Sequence, residues 1–214
     1  LKVFEYNCDS ASCYMEVGKV QGKWLKHFDV KGGSDAGNEL FKHLVKAWKS
    51  CKIDSMVHVL QDDDPEETYH ALFMKNVIEA AGYTCELVKG LDTLQWNSNK
   101  KIEDCNGNLI KWVWKTWAWE TALDELRLGE LRLKEHTQKK IVFLDTPPSL
   151  SDVLLNDDIM VFEPMWTLIP SNKAILPILW SLFPNHPLLL NADFELNDEL
   201  VKSGYVIKPI VGRC

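Results

Sequence analysis

The run Met56-Val57-His58-Val59-Leu60, followed at once by Asp62-Asp63-Asp64-Pro65-Glu66-Glu67, constrains the fold more than any other stretch of this chain. A short, unbroken apolar and β-branched run reads as a buried strand. An Asp followed by Pro at the first helical position then starts a helix. That helix runs to about Ala81, where Gly82 stops it, and Thr84 to Lys89 forms the next strand. Upstream, residues 14–29 read as a helix with Met15, Val17, Val20 and Trp24 as a buried stripe. After a break at Lys31-Gly32-Gly33-Ser34, Asn38 to Lys49 reads as a second helix, with Leu40, Phe41, Leu44 and Trp48 on one side.

Downstream, the segments 101–105 and 109–114 flank Asn106-Gly107-Asn108 and read as a hairpin. A charged helix spans Glu120 to about Leu131, and Lys140 to Leu144 and Asp158 to Phe162 read as strands. Residues 172–183 read as a buried helix, 187–190 as a short strand, 195–203 as a helix, and Tyr205 to Ile210 as a final strand. The fold class is therefore α/β with a mixed sheet; the hairpin argues against a purely doubly wound sheet.

Of the 214 residues, 46% are hydrophobic and 26% charged, as in an ordinary globular protein. A net charge of -7 argues against nucleic-acid binding, which needs a basic face. No apolar run reaches the ~18 residues of a membrane span, and no signal peptide is evident, so a cytoplasmic setting without membrane contact is expected. The chain starts without Met, directly in a strand, and reads as an internal piece of a longer protein. Six scattered cysteines without a CxxC pair suggest neither a zinc site nor a disulfide framework. Reduced thiols fit better. P-loop, GxGxxG, GxSxG and HExxH motifs are absent.

Four segments can carry chemistry. Leu1-Lys2-Val3-Phe4 reads as a strand that delivers Glu5 and Asn7 to one face. Two oxygen ligands there suit a hard cation such as Mg2+; the segment reads equally as an edge strand entering the serine-rich turn Asp9-Ser10-Ala11-Ser12. The acidic run 62–67 is either a solvated helix cap or a cation site. Glu66 and Glu67, consecutive on a helix, diverge by about 100° and serve different partners. Trp112, Trp114, Trp117 and Trp119 suggest a bulky core, with Thr121 near the following helix start as the polar residue able to meet a substrate. Lys173 and Lys208 sit in apolar settings and need an anionic partner, either phosphate or a structural carboxylate. His58, His70 and His186 lack metal-like spacing and suit core or surface roles.

Five strings, FEYNCDSASC, QDDDPEETYHALFM, VWKTWAWETA, FEPMWTLIPSNKAILPILWSLFP and NDELVKSGYVIKPIVGRC, together resemble the synthetase domain of the glutathionylspermidine synthetase and trypanothione synthetase family. They keep the family's order and cover nearly the whole chain. The resemblance implies the central part, residues 1–214, of a C-terminal ATP-grasp-like synthetase domain, incomplete at both ends and without the amidase domain that many relatives carry. It implies an ATP-dependent ligase joining the glycine carboxylate of glutathione to an amine of spermidine or glutathionylspermidine, through an acyl phosphate. By position, Glu5 and Asn7 would be magnesium ligands; Ser10, Ser12, Glu67 and Thr121 would contact glutathione; Glu66 would face the polyamine. Lys173 and Lys208 would contact ATP, and Cys13 would lie near the glutathione thiol. No residue is singled out as catalytic. The family's upstream Arg and Asp and its later glycine-rich segment are missing, so these residues alone are expected to be inactive. The alternatives are a non-catalytic glutathione- or polyamine-binding relative with a decayed nucleotide site, and a purely structural α/β module.

Overall fold

A computed structural model describes residues 1–9, 13–32, 35, 37–135 and 146–211, with the backbone alone at 130–135. The chain forms two units, Ser10–Glu163 and a second made of Leu1–Asp9 with Pro164–Cys214.

In the first unit a π-helical turn, Glu16–Val20, leads into α1, Gln21–His27, and α2 is Leu40–Ser50. There follow β1, Val57–Gln61; α3, Glu67–Ala80; β2, Cys85–Lys89; β3, Gln95–Trp96; and β4, Ile102–Glu103. Next come β5, Trp112–Lys115; α4, Trp119–Glu135; α5, Leu150–Leu154; and β6, Met160–Val161. Four of these strands make one parallel sheet in the order β2-β1-β5-β6. Strands β3 and β4 form a separate antiparallel pair.

Every residue of β1 is buried, which is why its sequence lacks the alternation of a half-solvated strand. Val57 and Val59 join Trp48 of α2, Phe73, Met74, Val77 and Ile78 of α3, and Trp114 of β5 in one core cluster. The α3 segment is helical because its buried residues His70, Ala71, Phe73, Met74, Val77 and Ile78 recur at helical spacing. Gly82, at φ 101°, ends it in a conformation that side-chain-bearing residues resist.

The α/β class, strands β1 and β2 and helices α2, α3 and α4 follow the sequence expectations; several other elements differ. The loop Asp104–Asn108 does make a tight hairpin turn, closed by Asp104 N to Asn108 O at 2.9 Å and Ile110 N to Ile102 O at 2.9 Å. The expected second arm, however, leaves it and pairs in parallel with β1. Burial decides this: Val113 and Trp114 are fully enclosed only inside the main sheet. Trp24, expected in a buried stripe, is exposed. The expected strand 140–144, and Gly33 and Ser34 of the expected break, lie outside the described residues.

The second unit holds a short 3-10 turn, Met165–Thr167; α6, Leu168–Ser171; α7, Ile175–Leu182; and α8, Asp198–Ser203. The expected strands 1–4 and 187–190 reduce to a single parallel bridge between Val3 and Leu189. The expected strand 205–210 joins no ladder among the described residues, and Val206 and Ile207 are exposed. Its β-branched residues supply propensity, yet a strand also needs a partner ladder and a surface to pack on. Helix α7 is partly rather than fully buried. Among the described residues no helix is long and apolar enough to cross a membrane.

One polar pair is sealed inside the first unit. His58 of β1 is 0% exposed and Asp104 1%. His58 Nε2 meets Asp104 Oδ2 at 3.3 Å. Asp104 Oδ1 also accepts from the backbone N–H of Asn106 at 2.9 Å and of Asn108 at 2.8 Å, so one carboxylate organises the turn and faces the strand. Burial holds the imidazole below its ordinary value of 6.5, against the pull of Asp104. Burial also pushes the Asp104 carboxyl up, but hydrogen bonds from Asn108, His58 and Asn106 outweigh it and hold it below 3.8. A buried neutral histidine binds fewer protons folded than unfolded, so stability falls as pH drops below 6.5. The Asp104 contribution is present above 3.8 and is lost below it. The urea midpoint should therefore decline as pH is lowered from about 7.5 to about 5, and the decline should be shallower in His58→Asn.

Candidate functional site

The strand order β2-β1-β5-β6 places a topological switch point between β1 and β5. From β1 the chain winds outward to β2, and from β5 it winds the other way to β6. In open α/β sheets, ligands bind outside the carboxyl ends of the strands at such a point. Glu66 and Glu67 follow β1, and Thr121 follows β5 in the first turn of α4. The structure thus brings three of the expected substrate residues to the two loops that flank one switch point. Glu66 and Thr121 are exposed, and Glu67 is half-buried.

Local bonding fixes these loops. Asp62 N donates to Thr116 Oγ1 at 3.2 Å, and Thr116 N donates to Leu60 O at 2.9 Å, so the β1 and β5 ends are tied together. Asp64 N donates to Asp62 Oδ1 at 2.8 Å, and Glu66 N to Asp64 Oδ1 at 2.9 Å. Much of the acidic run thus caps its own turn, which accounts for Asp62 and Asp64 without a cation. Sequence reasoning missed Gln61, the last residue of β1. It is 1% exposed, its Nε2 donates to Thr68 Oγ1 at 2.7 Å, and its Oε1 has no hydrogen-bond partner among the described residues. Only the strand order reveals its place beside the switch point.

Three of the four tryptophans have structural partners. Trp114 lies in the core; Trp112 Nε1 donates to Asp54 Oδ1 at 2.9 Å; Trp119 Nε1 donates to Glu163 O at 2.7 Å. Lys115, buried at the end of β5, donates to Trp117 O at 2.8 Å and lies 5.0 Å from the centre of the Trp119 ring.

In the second unit, three of the four residues assigned to a polyanion and its metal converge. Lys173 Nζ is 3.8 Å from Glu5 Oε1, and Lys208 Nζ is 3.6 Å from Glu5 Oε2. The side chains of Lys173, Lys208 and Glu5 are 14%, 30% and 36% exposed. At such exposure each pair contributes about 0.2–1 kcal/mol, weak enough to be exchanged for another partner. Lys208 Nζ also donates to Phe4 O at 3.5 Å and stands 5.3 Å from the centre of the Phe4 ring. Its expected setting inside a buried strand is not formed. Nor is the strand expected to align Glu5 with Asn7; both are exposed on irregular backbone. The segment is held instead by Ser171, whose Oγ accepts from Cys8 N at 2.8 Å and Asp9 N at 2.6 Å. Lys173 N donates to Ile210 O at 3.0 Å, joining the lysine segments to each other.

Ser10 and Ser12 lie outside the described residues. Cys13, at φ 70°, is exposed. Burial pushes the Cys85 thiol up to about 12, which leaves it inert. Among the described residues no group of three or more His, Cys, Asp or Glu side chains is arranged to hold a metal. One carboxylate and one carboxamide still fit Mg2+, which commonly keeps waters and phosphate oxygens as its other ligands.

A sequence profile described as glutathionylspermidine synthase preATP-grasp matches residues 1–214. The chain belongs to this family. The match corrects one expectation: glutathionylspermidine synthase preATP-grasp sequence is the N-terminal preATP-grasp part, not a C-terminal ATP-grasp domain. Among similar curated proteins, the bifunctional glutathionylspermidine synthetase/amidase of Escherichia coli (strain K12) is 46% identical over 214 residues, covering 100% of this chain and 35% of that protein. Trypanothione synthetase of Crithidia fasciculata is 40% identical over 220 residues, covering 100% of this chain and 33% of that protein. A putative acid–amine ligase of Haemophilus influenzae (strain ATCC 51907 / DSM 11121 / KW20 / Rd) is 28% identical over 222 residues, covering 100% of this chain and 50% of that protein. The chain thus spans about a third of the length of the first two relatives.

Ser171→Ala removes the acceptor shared by the Cys8 and Asp9 amides. It should cost about 1–2 kcal/mol in that unit and speed proteolysis between residues 4 and 9, read by limited digestion with mass spectrometry.

Proposed function

We propose that the protein containing this chain is an ATP-dependent amide ligase that joins the glycine carboxylate of glutathione to an amine of spermidine or glutathionylspermidine. The observation that carries the proposal is the convergence of Lys173 and Lys208 on the two oxygens of Glu5. Two ammonium groups around one carboxylate, with a carboxamide two residues on, are the complement of a polyphosphate and its divalent ion. Family membership and the names of the relatives support the choice of substrates.

In this mechanism Lys173 and Lys208 hold ATP phosphate oxygens and neutralise charge as it develops on the transferring group. Glu5 and Asn7 would hold Mg2+, which supplies further neutralisation of the phosphates. The glutathione carboxylate attacks the γ-phosphorus and ADP leaves, giving an acyl phosphate. The neutral polyamine amine attacks the acyl carbon; phosphate departs, and the nitrogen loses a proton as the amide forms. Glu67 and Thr121, with Ser10 and Ser12, orient glutathione, and Glu66 holds a polyamine ammonium. Catalysis is then chiefly positioning and charge stabilisation.

The test is turnover by the complete protein with ATP, Mg2+, glutathione and spermidine, reading ADP release and the amide product by mass spectrometry. Product formation dependent on all three substrates supports the ligase; ADP release without amide, or neither, overturns it. Glu66→Gln should raise the KM for spermidine about tenfold and leave that for glutathione within about twofold. Glu67→Gln should do the reverse, because consecutive helical positions address different partners.

A further inference from the structure

We propose that Glu5 makes the lysine site selective for metal-bound over metal-free polyphosphate. Without a divalent ion its carboxylate occupies both lysines; once it ligates such an ion, it releases both ammonium groups to phosphate. This rests on the polyphosphate reading of the site given above.

Each oxygen of Glu5 has its own ammonium, Oε1 with Lys173 at 3.8 Å and Oε2 with Lys208 at 3.6 Å. Both carboxylate oxygens thus lie within ion-pair distance of the two groups that phosphate would need. Lys208 is further anchored beside it by the Phe4 carbonyl and ring, so its head is stationed next to Glu5 rather than turned to solvent. A metal-free polyphosphate approaching the lysines meets the Glu5 charge at contact distance, well inside the Debye length of about 8 Å, where salt screens it little. A metal-bound polyphosphate carries the ion that converts this same carboxylate from an obstacle into a ligand. Asn7, being neutral, can add to the ion without opposing phosphate. Glu5 therefore acts as the repulsive element that a selective site needs alongside its attractive ones. The preference arises from the difference in its contacts between the two states.

The experiment titrates the complete protein with ATP by calorimetry, once in EDTA and once in Mg2+, for the wild type, Glu5→Gln and Asn7→Ala, with circular dichroism confirming that each is folded. The wild type should bind ATP at least about tenfold more weakly in EDTA than in Mg2+. Glu5→Gln should bind metal-free ATP about tenfold more tightly than the wild type, and its gain from Mg2+ should shrink to about twofold. Asn7→Ala should keep wild-type affinity in EDTA and lose part of the Mg2+ gain. Folded Glu5→Gln that binds metal-free ATP no better than the wild type overturns the selectivity role while leaving the nucleotide site standing. So does a wild type that binds both forms equally, whatever becomes of the variant. Absence of ATP binding by the wild type in both buffers overturns the polyphosphate reading and this inference with it.

Discussion

Strand β1 is hydrogen-bonded in parallel on both sides and buried along its whole length, and the first unit is organised around where it ends. A strand in that position cannot slip by one residue, because a slip would exchange Val57 and Val59 with His58 across the two faces. One face accepts α2 and α3 through the aromatic and aliphatic cluster. The other tolerates a histidine because Asp104 is brought to it by a tight turn. With β1 fixed, β5 is fixed beside it, and the switch point lies at their carboxyl ends. Glu66, Glu67 and Thr121 owe their places to that strand order rather than to contacts with one another.

The second unit works on a different principle. Its segments are joined by a few links: Lys2 and Val3 to Leu188 and Leu189, Cys8 and Asp9 to Ser171, Lys173 to Ile210, and Lys208 to Phe4. No described strand longer than a bridge runs through it. What concentrates there is charge. Lys173 and Lys208 come from segments far apart in sequence and meet on Glu5 from a third. Partly exposed ion pairs add little to stability, so this convergence is a weak fastening; under the proposed function it prepares the site for a ligand.

The periodic parts of this architecture were legible in the sequence. The unbroken apolar run of β1, the Asp-Pro start and glycine stop of α3, and the stripe of α2 each combine a pattern with a boundary signal. Legibility ended where a local pattern needed a distant partner. Tyr205 to Ile210 has strand composition but no ladder to join. The hairpin after Asp104 is locally correct, yet β5 is claimed by β1 because parallel pairing buries Val113 and Trp114. At the site, an anionic partner for each lysine followed from the cost of burying an unpaired charge. That one carboxylate serves both lysines did not follow, since it depends on three segments meeting. Gln61 carried no signal at all until the strand order was known.

The tryptophans complete the connection between sequence, packing and site. Four in eight residues suggest a bulky core, with Thr121 as the polar residue able to meet a substrate, and the burial of Trp114 and Trp119 fits the core. Trp112 bonds Asp54 just ahead of β1, and Trp119 bonds the Glu163 carbonyl just after β6, while Trp114 lies between the strand and α3. Indoles anchored at the start of β5 and at the start of α4 fix both ends of the loop between them. Lys115, held to Trp117 O and over the Trp119 ring, stiffens the same loop from inside. Thr121 lies two residues beyond the second anchor, so its position is inherited from the aromatic packing. The residues that meet solvent at the switch point are few and polar; the precision of their placement comes from the apolar residues that never reach it.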